Sequence, residues 1–337
     1  MKAAILRELN SALELRQITP SKLQVGQVLV KVLTSGLCGA QLQEIDGRKG
    51  NAKFLPHLLG HEGCGLVEEI GDGVTTVKKG DKVVMHWRMG AGIDSSFPAY
   101  FLDGESFSSG KVNTLTEYAI VAENRVTTIP AGTHPELAAL LGCSLTTSLG
   151  LIENQSDLRF GESVLILGCG GVGLNLISAA RVRGAGRIAA LDLMPSKIDL
   201  SITQGANSFY SKYQDVQGTY DLIIDTTGAT ELIGWAFTKL SNKGRLVLVG
   251  QPKPGDELVL PDAIRFFNGD GLRVTATQGG STSPDKDIHR YLELFGLGIF
   301  SIDKLVTHRF TLDQINDAIE CLRSGIAGRI MIHIGDE

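Results

Sequence analysis

Residues 163–173 read Ser163-Val164-Leu165-Ile166-Leu167-Gly168-Cys169-Gly170-Gly171-Val172-Gly173, and this stretch decides how the second half of the chain folds. The run from Val164 to Leu167 is continuously apolar, as a buried strand is. Gly168, Gly170 and Gly173 then give G-x-G-x-x-G, and residues 174–182 carry apolar positions at helical spacing. A glycine turn alone is weak evidence, but strand, turn and helix in that order is the context of a dinucleotide site. Gly168 permits the tight turn, Gly170 lets a pyrophosphate approach the backbone, and Gly173 lets helix and strand pack closely. The helix start offers N–H donors and a favourable dipole to the phosphates. Asp192 ends the next strand, 187–192, about 20 residues on. Its carboxylate suits ribose hydroxyls and repels a 2′-phosphate, so NAD is expected over NADP.

Working outward, further strands are expected at 221–225, 245–249 and 273–276. Apolar strands alternating with helices imply a doubly wound parallel sheet covered on both faces. Upstream the texture differs. Residues 1–7, 27–32, 65–70, 81–85 and 118–121 read as short strands separated by glycine turns, which suggests a β-rich, barrel-like domain. From about 278 the pattern returns to helix and closes on a strand at 329–334. The fold class is therefore α/β plus β-rich.

The 337 residues favour two domains, and 43% hydrophobic against 20% charged residues supports a sizeable core. A net charge of −5 without a long basic run argues against a nucleic-acid partner. No stretch offers a continuous apolar span for a membrane, since glycines interrupt the greasiest run, 164–180. Five cysteines and no secretory start fit a reducing cytoplasm with free thiols.

Three residues are candidates for a metal. Cys38 lies between Leu37 and Gly39, His61 between Gly60 and Glu62, and Cys143 between Gly142 and Ser144. Two thiols and an imidazole suit a tetrahedral zinc with its fourth position open, as catalytic sites have. The positions are dispersed and lack a C-x-x-C spacing. From the residues alone, zinc ligation and ordinary burial of cysteine both stay open.

Nearly the whole chain resembles the zinc-dependent alcohol dehydrogenase family of the medium-chain dehydrogenase/reductase superfamily. Gly36-Leu37-Cys38-Gly39 is similar to the first-ligand motif, Gly60-His61-Glu62-Gly63-Cys64-Gly65 to the G-H-E segment, and Gly142-Cys143 to the third-ligand position. Gly71, Val74 and Gly80-Asp81-Lys82-Val83 follow the same pattern. The resemblance implies a GroES-like catalytic domain at 1–144, an inserted Rossmann domain at 145–277, and a C-terminal segment, 278–337, that completes the first. It implies zinc on Cys38, His61 and Cys143, with Glu62 beside the metal. It also implies NAD against Thr147, Gly171 and Val172, Lys197 near the ribose, and Arg329 on the pyrophosphate. Homodimers or homotetramers are expected.

The chain departs from the family pattern in two places. Ala40 and Gln41 stand where many relatives have Ser or Thr followed by Asp. Ala40 cannot relay the alcohol proton, so water, His57, Gln43 or His86 must serve instead, and Gln41 puts a neutral amide in place of a carboxylate. Many relatives also carry a structural zinc on four cysteines after the 81–83 segment. Residues 86–116 contain no cysteine, so one catalytic zinc and no structural zinc is expected. That lobe should be held by Phe97, Tyr100, Phe101 and Phe107, or by a subunit contact. Trp87 falls on a pocket-lining position, and His86, Trp87 and Arg88 form a candidate polar-aromatic wall suited to a sugar, polyol or cyclitol. The expected activity is hydride transfer between NAD(H) and an alcohol or carbonyl. Its rivals are a zinc-free reductase of activated double bonds and a non-catalytic NAD-binding protein.

Overall fold

A computed structural model describes residues 1–49 and 55–336. They form two compact units. One comprises Met1–Thr146, Ser283–Gly298 and Val306–Glu337; the other comprises Thr147–Thr282 and Ile299–Leu305.

The spine of the first unit is the strand Gln27–Leu37, eleven residues of which nine are buried. One of its edges pairs with Glu62–Ile70. Along the other edge, Tyr118–Ala122 pairs with residues 27–31 and Arg329–His333 with residues 34–37. The sheet runs Val126–Thr128, Lys82–His86, Glu62–Ile70, Gln27–Leu37, Arg329–His333, Val306–Thr311. The spine extends five residues beyond the 27–32 expected, because Leu33-Thr34-Ser35-Gly36-Leu37 has small and polar members that mask a fully buried run. Valines 28, 30, 32, 67, 83 and 121 with Met85 fill one side of this sheet.

A hairpin builds the lobe. Ala99–Leu102 pairs with Glu105–Ser108 across Asp103 and Gly104, both at positive φ (53° and 87°), as a two-residue hairpin turn requires. Tyr100 is fully buried; its hydroxyl donates to Asn113 Oδ1 at 2.8 Å and accepts from the Ile120 N–H at 2.8 Å. Phe107 packs against its ring, with centroids 6.0 Å apart. Phe97 and Phe101 do not hold the lobe as expected. They are 48% and 42% exposed, and Phe97 instead carries the Lys111 ammonium 4.9 Å from its centroid.

In the second unit six parallel strands run in the order Ser208–Tyr210, Arg187–Leu191, Ser163–Leu167, Tyr220–Asp225, Leu240–Leu248, Arg273–Ala276. This is the doubly wound nucleotide-binding order. The strand expected at 245–249 starts at Leu240, a buried residue followed by the polar Ser241-Asn242-Lys243, which reads as turn. Phe237, Tyr220, Leu165 and Leu246 anchor the core on one face. No helix among the described residues is long and apolar enough to cross a membrane.

Candidate metal centre and nucleotide turn

Three chain segments deliver the metal candidates. Cys38 follows the end of the spine strand and caps the helix Gly39–Ile45 in extended geometry. His61 follows Gly60, whose φ of +96° and whose approach to Thr114 leave no room for a Cβ: it would lie 2.4 Å from Thr114 Oγ1. Cys143 immediately precedes the helix Ser144–Asn154. The ligand atoms of Cys38, His61 and Cys143 all lie within 4.8 Å of one another. Zinc–sulfur bonds of about 2.3 Å and zinc–nitrogen bonds of about 2.0 Å would set ligand atoms roughly 3.5–3.8 Å apart, so a modest contraction closes the site. None of the five cysteines is in a disulfide. The Cys38 thiol is held well below its usual pKa by a hydrogen bond with Cys143, then by His61 and the charge of Arg329, which together outweigh burial. A site that favours thiolate fits a metal cation.

Glu62 is the buried neighbour of this cluster. It is fully buried, ion-paired with Arg329, and its Oε2 accepts the Ser144 N–H at 3.1 Å. Two glycines make room for it. A Cβ on Gly36 would lie 2.5 Å from Glu62 Oε1, and one on Gly142 would lie 2.8 Å from Glu62 Cα. Arg329, expected on the pyrophosphate by resemblance, is 3% exposed, bound to Glu62, and linked to Cys38 by a hydrogen bond. Burial pulls its pKa down, opposed by Cys38. No sequence spacing signals this pair, since 267 residues separate its members. Ser35 and Thr114 were also not singled out. Their hydroxyls hydrogen-bond each other at 2.7 Å, and both oxygens lie within 3.3 Å of the Glu62 backbone carbonyl, to which the hydroxyl that accepts in that pair can donate.

Gln41 is buried at 1% exposure and bridges two ligand residues. Its Oε1 accepts the Cys38 backbone N–H at 2.9 Å, and its Nε2 lies 2.6 Å from His61 Nδ1. Ala40, half-buried one residue earlier, presents no hydroxyl.

The wall of His86, Trp87 and Arg88 does not form as expected. His86 is 1% exposed, with Nδ1 on the Arg88 carbonyl at 2.7 Å and Nε2 on Thr127 Oγ1 at 2.9 Å. Burial pushes its pKa down to about 4. With both nitrogens engaged and the ring neutral, His86 is a core residue and not a proton carrier. Trp87 is half-buried, with the Arg88 guanidinium 5.7 Å from its ring centroid.

In the second unit the glycine turn has the expected shape. Gly168 takes φ +87°. A Cβ on Gly173 would lie 1.9 Å from the Gly168 carbonyl oxygen, whereas one on Gly170 would meet nothing within 4 Å. Gly170 is thus the open face of the turn and Gly173 its closed one. The helix Gly171–Val182 follows, with the Val172 carbonyl accepting from Ser148 Oγ at 3.1 Å. Asp192 braces the turn: Oδ2 accepts the Cys169 N–H at 2.7 Å and Oδ1 the Met194 N–H at 2.9 Å. Burial pushes the Cys169 thiol up to about 12, as befits a packing residue. Lys197 and Thr147 are 3% and 5% exposed.

Comparisons with known proteins agree with this geometry. Residues 24–131 match the family described as alcohol dehydrogenase GroES-like domain, and residues 171–295 the one described as zinc-binding dehydrogenase. An S-(hydroxymethyl)glutathione dehydrogenase of Synechocystis sp. is 28% identical over 98% of this chain and 99% of its own. The crystal structure of an alcohol dehydrogenase zinc-binding domain protein from Burkholderia ambifaria superposes with a TM-score of 0.91 at 27% identity, covering 99% of each chain. Benzyl alcohol dehydrogenase from Acinetobacter calcoaceticus superposes at 0.88, with 27% identity over 99% of each chain.

Proposed function

We propose that this chain, which belongs to the zinc-dependent alcohol dehydrogenase family of the medium-chain dehydrogenases/reductases, passes a hydride between NAD(H) and a polar secondary alcohol or its carbonyl. The observation that carries this reading is the convergence of Cys38, His61 and Cys143 on one point. These three would hold a single zinc, with no second, structural one. Bound there, zinc would supply a Lewis acid for the substrate oxygen, and NAD the hydride acceptor.

The chain's own residues would act as follows. Cys38 would meet the metal as a thiolate, since Cys143, His61 and Arg329 all favour its ionised form. Arg329 neutralises Glu62, and the Ser144 N–H holds the carboxylate in place. Gly170 leaves the backbone open to a pyrophosphate, to which the start of the helix Gly171–Val182 would donate N–H groups. Asp192 would accept from the ribose hydroxyls with the lone pairs left by Cys169 and Met194. With Ala40 lacking a hydroxyl and His86 engaged in the core, the alcohol proton would leave through water. Arg88 and Trp87, which remain of the expected wall, support hydroxyl-rich substrates. A cytoplasmic dimer or tetramer belongs to the same reading.

The test combines elemental zinc per chain with NADH formation from polyols, cyclitols, sugar alcohols and benzyl alcohol. Expected are one zinc, turnover of a polyol-type substrate, and loss of both in Cys38→Ser. Reduction of an activated double bond by zinc-free protein would overturn the reading, as would NAD binding without turnover of any alcohol. Turnover of benzyl alcohol alone would overturn the substrate class.

A further inference from the structure

We propose that Gln41 holds His61 in the ring tautomer that opposes a metal, so that this chain binds its zinc weakly and exchanges it. The inference rests on the reading of Cys38, His61 and Cys143 as zinc ligands.

The argument is a count of donors and acceptors. His61 Nδ1 is engaged by Gln41, which leaves Nε2 as the ligand nitrogen. A neutral imidazole that ligates through Nε2 must carry its proton on Nδ1. The partner of Nδ1 therefore has to be an acceptor, and metal-bound histidines generally have a carboxylate, carbonyl or water there. Gln41 presents its NH₂ instead, at 2.6 Å, because its single oxygen is taken by the Cys38 N–H at 2.9 Å. Metal-free, the arrangement is satisfied: Nε2 of Gln41 donates to Nδ1, and His61 keeps its proton on its own Nε2. Metal-bound, two donors face each other.

Turning the amide over does not help. Oε1 would then accept from Nδ1–H, but the NH₂ group would face the Cys38 N–H, another donor. One primary amide has one acceptor atom and two donor neighbours to serve, whereas a carboxylate has two acceptor atoms. Gln41 is 1% exposed, so bulk solvent does not relieve the mismatch. The spine strand and the helix Gly39–Ile45 fix the Cys38 N–H, so the conflict falls on His61. Gln41 is thus a positioning residue that acts through His61.

The first readout needs no metal. In ¹⁵N-histidine NMR of the metal-free protein above the imidazole pKa, His61 is identified by the resonance lost in His61→Asn. It should carry its proton on Nε2 in the wild type and on Nδ1 in Gln41→Glu. The second readout is zinc affinity by chelator competition. Gln41→Glu should bind zinc about 10- to 100-fold more tightly. Gln41→Met, which removes the opposing donor without adding charge, should bind at least as tightly as the wild type. A wild-type proton on Nδ1, or a Gln41→Met variant that binds zinc more weakly than the wild type, overturns the proposal. If no variant binds zinc, the zinc reading itself fails, and the proposal that rests on it falls with it even where the tautomer is as expected.

Discussion

Arg329→Met should destabilise the first unit by an amount that depends on pH. Arg329 and Glu62 are 3% and 0% exposed, and with the cation removed the carboxylate keeps, among the described residues, the Ser144 N–H. Breaking a buried pair from one side costs about 3–5 kcal/mol. The variant has a cheaper route, which is to bury Glu62 protonated. At pH 7, protonating a carboxyl of ordinary pKa near 4.3 costs about 3.7 kcal/mol, and at pH 5.5 about 1.6 kcal/mol. The sign follows from proton counting. In the variant the folded state holds a proton that the unfolded state releases, so its stability falls as pH rises above the unfolded pKa. For a unit of this size, 1 kcal/mol corresponds to roughly 2–4 °C of Tm. Scanning calorimetry of metal-free protein should therefore show a deficit of about 7–15 °C at pH 7, shrinking to about 3–6 °C at pH 5.5. Adding Glu62→Gln to Arg329→Met should recover most of the pH 7 loss. A deficit under about 2 °C, or one equal at both pH values, would refute the reasoning that Glu62 is a buried ion held by Arg329.

Three further outcomes are expected. Gly173→Ala places a Cβ 1.9 Å from the Gly168 oxygen, so the turn must open; NAD affinity by calorimetry should fall at least tenfold, about the scale of one charge-assisted hydrogen bond. Asp192→Asn keeps an acceptor for the Cys169 N–H but gives up the one for the Met194 N–H and removes the charge. The ratio of NADP to NAD affinity should rise by about tenfold or more, and an unchanged ratio would remove Asp192 from cofactor choice. His86, whose pKa burial pushes down to about 4, takes up a proton in the unfolded chain before it does so folded. Wild-type stability should thus drop by about 3 kcal/mol as pH falls from 6.5 to 4, and His86→Asn should flatten that part of the urea-midpoint profile.

The sequence was most legible where one physical pattern dominated. Ser163–Leu167 and Arg273–Ala276 appear at the bounds expected, the first because its apolar run ends at Gly168. Cys38, His61 and Cys143 were legible as candidates because each sits against a glycine, but their convergence was not, since it depends on how the sheet around Gln27–Leu37 pairs. Polar residues inside strands misled in both directions. Ser241-Asn242-Lys243 concealed half of a strand, and His86 read as a pocket residue although it closes a strand inside the core. Aromatic residues of the lobe looked equivalent in sequence, yet hairpin alternation buries Tyr100 and exposes Phe101. The Arg329–Glu62 pair has no local signature: the antiparallel pairing of 330–333 with 34–37, and of 34–35 with 63–64, is what sets its two members side by side.

That last strand has a consequence for how the protein is made. Residues 34–37 of the spine have Arg329–His333 as their partner on one edge, so that edge stays unpaired until residues 329–333 have been synthesised, about 290 residues later. Cys38 lies at the end of that waiting edge, and Arg329, the cation that favours its thiolate, sits on the strand that arrives. Synthesis therefore orders events: the three candidate ligands leave the ribosome well before the site can be electrostatically complete. A nascent chain stalled short of residue 329 carries an open sheet edge beside Cys38, without the cation that favours its thiolate.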